Sequence, residues 1–186
     1  MSEDRLPPIP PAQWSEDQRR EARAIIDGPR GALIAPFVPL MRSPELMGHA
    51  QRLGEYLRYR SALEPRLSEF AILVVAKRWS QAVEWSIHAP IARQCGVSPA
   101  HVDALAEGRR PEAMPDDLAL VHDFLEELLT HRGVSDATYA RALALFGERG
   151  IVDLSALCGY YSLLAMVMNV ARTPLPEGAA TPFAAG

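Results

Sequence analysis

The sequence of 186 residues is poor in cysteine: it has two, Cys95 and Cys158, which lie far apart in the chain. Neither belongs to a CxxC or CxxxC pair, which argues against a zinc knuckle and a local dithiol redox pair. Free cysteines are among the residue types most often buried in folded proteins. We therefore expect both thiols to pack in the core as small apolar groups.

Long apolar runs and an excess of positive charge are also missing. The richest apolar run, residues 162–171, has about half of the roughly 20 residues that span a bilayer. The first residues are acidic and proline-rich, whereas a secretory signal needs a basic start and an apolar run. A net charge of -4 provides no surface for a polyanion. The sequence therefore predicts a cytoplasmic protein that binds neither membranes nor nucleic acid.

Apolar residues at helical spacing are abundant. They make up 48% of the chain and recur three and four positions apart, while alternating β-branched runs are scarce. This period is that of helices, so the fold class is predicted to be all-α. The length fits one domain. We expect this domain to consist of an N-terminal helix and proline-rich connector at 1–42, a core segment at 44–108, C-terminal helices at 115–172 and a tail at 173–186.

Serine and proline punctuation sets the expected helix boundaries, because serine favours the N-cap and proline the first helical position. The connector 31–44 holds three prolines among apolar residues, so it should pack on the core without forming a continuous helix. The last helix is apolar around most of its circumference, which indicates an oligomer. The tail is expected to fray or to lie across a neighbouring subunit. The predicted helices are 15–26, 44–59, 65–80, 82–95, 99–106, 115–131, 136–148 and 151–172.

The stretch QAVEWSIHAP contains the candidate site. On a helix, Gln81, Glu84 and His88 share one face, with Trp85 beside them. The pair Glu84 and His88 can hydrogen-bond, either as a surface contact worth a few tenths of a kcal/mol or as part of a site. The helix before it contributes Glu69 from an apolar run, and in an antiparallel hairpin Glu69 can face His88.

Two carboxylates and an imidazole walled by an indole are suited to proton transfer near neutral pH. The same groups can hold a divalent ion. However, the sequence has neither an HExxH nor a paired ExxH pattern. We therefore expect no metal.

The segment PRLSEFAILVVAKRWSQAVEWSIHAPIARQCGVS resembles the core of the carboxymuconolactone decarboxylase family, which also contains the alkylhydroperoxidase D proteins. The peroxidase branch has a Glu, a CxxC pair and a His. Here Glu69 and His88 match that Glu and that His, while Gln81 and Glu84 stand at the cysteine positions. The redox pair is therefore missing, and the EWxxH of Glu84, Trp85 and His88 resembles the decarboxylase-type branch.

This resemblance covers residues 44–108, and the later part of the chain is similar to the C-terminal half of longer members. It implies an alkylhydroperoxidase D-like helical bundle that assembles as a homotrimer or homohexamer. It also implies a cofactor-free decarboxylase or lyase that acts on a small carboxylated lactone or a related acid of aromatic compound degradation. In that reaction His88 is donor or acid, Glu84 orients the imidazole, and Glu69 passes a proton or polarises the site.

An anionic substrate calls for a guanidinium. The candidates are Arg42, Arg78 and Arg93, and Arg42 is preferred because it closes the connector just before a helix start. With Trp85 and Gln81, Arg42 is expected to bind substrate.

Alternatives remain open. A non-catalytic or differently specialised helical oligomer would have an open, flat surface at His88. An enzyme would have a closed apolar pocket there, with Glu69 and Glu84 in hydrogen-bond reach of the imidazole. An alkylhydroperoxidase D-like peroxidase with peroxiredoxin activity would depend on Cys95, about two helical turns past His88. On the last helix, Tyr160 and Tyr161 are expected to serve core or interface packing, although both can reach a pocket.

Overall fold

The computed structural model describes residues 4–179 and 182–183, and within these residues the chain forms eight α-helices and no β-strand. This confirms the predicted all-α fold. A single 3₁₀ turn at Pro11–Gln13 precedes the first helix. The helices are α1 Glu16–Ile26, α2 Phe37–Leu40, α3 Pro44–Tyr59, α4 Pro65–Arg78, α5 Ala82–Gln94, α6 Pro99–Ala106, α7 Asp116–His131 and α8 Asp136–Ala171.

Helix starts follow the expected punctuation, but by two different means. Ser15 forms a full capping box with Gln18, and the Ser135 hydroxyl accepts from the Thr138 backbone N–H. Ser43 and Ser98 make no side-chain cap hydrogen bond. At these two positions the following proline begins the helix, since its fixed φ and missing N–H suit the first turn.

Helix α4 is the central element of the fold. Every residue from Leu67 to Ala76 is buried, and α4 packs against α5, α6, α7 and α8. It forms the predicted antiparallel hairpin with α5. The sequence indicated one apolar face for this helix, whereas in the structure neighbouring elements bury the helix on all sides.

Helix α8 contains the last two predicted helices without a loop between them. They meet at Gly147, whose φ of 66° and ψ of 176° interrupt the helical geometry, and a positive φ of this kind favours glycine. Part of its apolar surface stays exposed, as at Val152 and Val170. By length and composition α8 could cross a membrane, but core helices meet the same criterion, and 56% of its apolar window is buried within the chain.

The connector 31–44 is ordered against the core, as expected. It contains the one-turn helix α2, packs on α3 and α8, and buries Phe37, Leu40 and Met41. The tail also contacts its own chain, because the Phe183 ring packs edge-on against Trp85 with centroids 5.2 Å apart. The expectation that the tail frays or crosses to a neighbour is therefore wrong at Phe183. The same expectation covers residues 180–181 and 184–186, which lie outside the described residues.

Candidate active site

The α4–α5 hairpin brings Glu69 and His88 together in the core. The His88 Nδ1–H donates to Glu69 Oε2 at 2.7 Å, and both side chains are more than 90% buried. Since Nδ1 is engaged, Nε2 is the nitrogen left for another partner, and it has no hydrogen bond to any described residue. The pairing predicted across the hairpin is confirmed.

Arg58 completes this group from α3. Its Nη2 lies 3.8 Å from Glu69 Oε1, and its side chain is only 17% exposed. Glu69 therefore has an imidazole on one oxygen and a guanidinium near the other. In a low-dielectric interior such contacts hold a carboxylate in place much more strongly than they would in water.

Glu84 is buried without a partner. It is 0% exposed, and neither carboxyl oxygen has a hydrogen bond. Burial raises the pKa of Glu84 well above its usual value, which favours the uncharged acid. The expected hydrogen bond between Glu84 and His88 is absent, and the carboxylate bonded to His88 is Glu69 of the facing helix. The orienting role assigned to Glu84 therefore falls to Glu69.

Two tyrosines of α8 close the site. The Tyr161 ring packs edge-on against His88 with centroids 5.2 Å apart, and Tyr160 packs edge-on against Tyr161. Burial raises the pKa of Tyr161 well above its usual value and that of Tyr160 to about 12, so both keep their hydroxyl protons. The sequence interpretation assigned both to packing, whereas the structure places them in a cavity wall.

The cavity at the centre of these groups is small. Its volume is about 20 Å³, enough for about one water molecule. Polar and apolar side chains share its wall. The apolar pocket with both carboxylates in hydrogen-bond reach of His88, which was expected of an enzyme, is found only in part, because Glu84 has no hydrogen bond. The cavity lining comprises Arg30, Ile34, Pro36, Phe37, Arg58, Glu84, Ile87, His88, Tyr160, Tyr161 and Leu164.

Three predicted substrate-binding residues lie elsewhere. Arg42 is exposed, and its guanidinium donates to backbone carbonyls of the N-terminal segment and α2. Gln81 caps α5 by accepting from the Val83 N–H at 2.8 Å. Trp85 is buried against Phe183. None of the three lines the cavity beside His88, so their role as substrate contacts stays a prediction.

The two guanidiniums that do line the cavity, Arg30 and Arg58, were missed by the sequence analysis. A signal for Arg58 was present, because it lies four residues after Gly54 and next to Leu57, both on the buried face of α3. Arg30 precedes the connector, donates to Gln51 Oε1 at 3.0 Å, and has no comparable signal.

The thiols are not activated. Cys158 is buried, and burial raises its pKa to about 11. Cys95 is half-buried rather than fully buried as expected, and its pKa is raised by burial and then by the negative charge of Glu69. A reactive cysteine needs a lowered pKa, so neither thiol has the character of a peroxidatic nucleophile. Among the described residues, no group of three His, Cys, Asp or Glu side chains is placed to hold a metal ion.

Comparison with known proteins identifies the fold. No protein-family model matches this sequence, and no curated protein matches it. Among solved structures, the chain resembles the crystal structure of an uncharacterized peroxidase-related protein from Silicibacter sp. TM1040. The TM-score is 0.75 at 15% identity, over 92% of this chain and 90% of that one. The chain therefore has the helical fold of that structure.

Proposed function

We propose that this chain is a cofactor-free decarboxylase or lyase that acts on a small carboxylated lactone or a related acid of aromatic compound degradation. The observation that supports it most is the buried hydrogen bond between Glu69 and His88, beside Glu84, whose pKa burial raises well above its usual value. An oriented imidazole and a carboxyl with a raised pKa, both lining one cavity, are suited to serve as base and acid in proton transfer.

The cavity has groups for each step of such a reaction. Arg30 and Arg58 suit a substrate carboxylate, because a guanidinium matches its geometry. When the bond to the departing carbon dioxide breaks, its electron pair moves into a conjugated carbonyl and gives an enolate. The tyrosine hydroxyls are hydrogen-bond donors for that oxyanion. Glu84 or protonated His88 then delivers a proton to the substrate carbon. A proton from water restores the acid.

Substrate entry requires the cavity to enlarge, since it has room for about one water. The connector 31–44 forms one wall through Ile34, Pro36 and Phe37. Its one-turn helix is the shortest in the fold, and short, locally weak segments open at lower cost than long core helices. We expect the connector to move when substrate binds.

The same small volume favours a second candidate, a helical oligomer that keeps the scaffold without this chemistry. A peroxidase role is the weakest alternative. The structural neighbour is described as peroxidase-related, but both thiols of this chain have raised pKa values.

We also propose self-association, as a homotrimer or homohexamer, through α8. Partly or fully exposed apolar residues recur there at alternating spacings of four and three, the pattern of a helix–helix seam. Met166→Glu should reduce the mass measured by light scattering, while Leu145→Glu, an exposed leucine of α8 outside the seam, should not. A monomeric wild type would refute this. The seam consists of Val152, Ala156, Gly159, Leu163, Met166 and Val170.

The decisive experiment measures carbon dioxide release from 4-carboxymuconolactone without added metal or thiol. Wild type should turn over, and His88→Gln should lose about a hundredfold or more, the usual worth of a general acid or base. The matched control is His49→Gln, an exposed histidine of α3, which should keep full activity. No turnover by folded wild type would reject this substrate and favour the second candidate. Unchanged turnover in His88→Gln would reject the role of His88.

A further inference from the structure

A second, larger cleft lies between the end of α4, the segment after α6, and α7. Its volume is about 400 Å³, within the range of small-molecule sites. It shares no lining residue with the central cavity. The charged and polar side chains in its wall are Lys77, Arg78, Arg109, Arg110, His122 and Glu126.

Four cations from two segments face this cleft. On α4, neither Lys77 nor Arg78 has a carboxylate partner among the described residues: Lys77 Nζ donates to the Ala106 carbonyl at 2.7 Å, and Arg78 Nη2 to the Leu129 carbonyl at 3.4 Å. The ammonium of Lys77 also lies 4.8 Å from the Phe183 ring centre. No carboxylate of the described residues therefore balances the positive charge of Lys77 or Arg78.

Nearby carboxylates partly balance the positive charges of the other two cations. Arg109 pairs with Glu107 at 2.5 Å, and Arg110 Nη2 lies 3.0 Å from Asp123 Oδ1. With Glu126 in the wall, the surroundings hold four positive and three negative side chains. This balance suits a compact anion placed among the cations, whereas an extended polyanion would meet the carboxylates.

Backbone geometry fixes the two groups of cations opposite each other. Gly108 has a φ of 76°, in the left-handed region, so the chain turns back directly after α6. An added Cβ at Gly108 would lie 3.4 Å from Lys77 Cε. The turn therefore rests against Lys77 and holds Arg109 and Arg110 across from α4.

His122 provides an independent sign of a missing ligand. It is 92% buried, since its exposed fraction is 8%, and its Nδ1 has no hydrogen-bond partner. The nearest carboxylate oxygen, Asp123 Oδ1, lies 3.8 Å away, beyond hydrogen-bond distance. Buried polar atoms in folded proteins are normally hydrogen-bonded. His122 lines the cleft, and its buried, unpaired Nδ1 indicates a partner that the described residues do not supply.

We infer that this cleft binds a small molecule with a multiply charged oxyanion group, either phosphate-bearing or polycarboxylate. The oxyanion lies between the cations of α4 and those after α6, next to the His122 side chain. Guanidinium groups recognise both kinds of anion by paired hydrogen bonds. This inference does not depend on the proposed decarboxylase activity.

Calorimetric titration of the full chain with pyrophosphate and, separately, with citrate tests the inference. At least one probe should bind, and Arg78→Gln should weaken it about tenfold or more, as expected for a lost hydrogen bond to a charged group. The matched control is Arg19→Gln, an exposed arginine of α1 without a carboxylate partner among the described residues, which should bind as wild type does. Preference for pyrophosphate would identify a phosphate-bearing ligand, and preference for citrate a polycarboxylate.

Two results would overturn the inference. One is the absence of binding by either probe to folded protein at millimolar concentration. The other is an equal loss of binding in Arg78→Gln and Arg19→Gln, which would mean general charge attraction. Nuclear magnetic resonance adds a readout without mutation: the ring signals of His122 should shift on titration, while those of His49 should not. An unshifted His122 would remove it from the site.

Discussion

The central cavity and the basic cleft differ in almost every physical respect. The cavity holds about one water and is lined by buried and half-buried groups, whereas the cleft has about 400 Å³ and mostly exposed cations. Charges in the cavity interact in a low-dielectric interior, while those in the cleft are screened by water and salt. This contrast agrees with the two proposals made above, chemistry in the cavity and ligand binding in the cleft.

This difference separates the effects that mutations should have. In the cavity, each polar group is a desolvated part of the core, so a change alters stability and chemistry together. In the cleft, the cations contribute little to folding, because exposed ion pairs are worth little. The predictions below test this separation.

The largest effect is expected at Glu69. Glu69→Ala leaves His88 and Arg58 in the core without their carboxylate, and breaking a buried pair in this way costs about 3–5 kcal/mol. Urea unfolding should report this loss, and Glu69→Gln should lose less because it keeps an acceptor. Glu64→Ala, an exposed position before α4, is the control and should change stability by no more than about 0.5 kcal/mol. A loss below about 1 kcal/mol in Glu69→Ala would mean that water reaches the pair.

The second effect concerns the pH dependence caused by Glu84. Burial raises its pKa in the folded state, so the folded protein binds one proton more than the unfolded chain above about pH 4.5. Stability should therefore fall as pH rises from the unfolded pKa to the folded one, by up to about 1.4 kcal/mol per pH unit. Glu84→Gln should remove this slope, and Glu148→Gln, an exposed control, should keep it. Parallel curves for wild type and Glu84→Gln would show that the carboxyl is hydrated.

A third prediction concerns the close approach of α3 and α8. A Cβ at Gly54 would overlap the Tyr160 hydroxyl and lie 2.8 Å from Arg30 Nη2. Gly54→Ala should therefore cost about 1–3 kcal/mol through overpacking and displace Tyr160 from the cavity wall. Gly133→Ala, where an added Cβ meets nothing within 4 Å, is the matched control. Equal melting temperatures for the two variants would contradict the tight packing at Gly54.

The sequence predicted the helices well because their boundaries are set locally. Capping serines, helix-starting prolines and the spacing of apolar residues act within a few positions of each other. The pairing of Glu69 with His88 was also accessible, because a short connection between two helices fixes which residues face each other. The kink at Gly147 lies just before the predicted break between helices 136–148 and 151–172. The apolar pattern did not show that the two helices join without a loop.

The remainder of the site depends on contacts between distant segments. Helical spacing placed Glu84 next to His88, but it gave no indication that Glu69 would occupy the imidazole first. Likewise, Gln81 shares a face with His88, yet as the N-cap residue it folds back onto the backbone of its own helix. The positions of Arg30 and Tyr160 follow from the packing of the connector and α8, which a local pattern does not record.

The smallest effect is expected at a cleft arginine, and a cavity arginine gives the direct contrast. Removing Arg78 relieves repulsion with Lys77 but also removes a cation from the last turn of α4, where the helix dipole favours it. Because these terms oppose each other, Arg78→Gln should change the free energy of unfolding by no more than about 0.5 kcal/mol. Arg58→Gln, in contrast, takes a charge away from buried Glu69 and should cost about 1–3 kcal/mol. Equal losses in the two variants would mean that the cleft cations also belong to the core, and the separation between the two regions would fail.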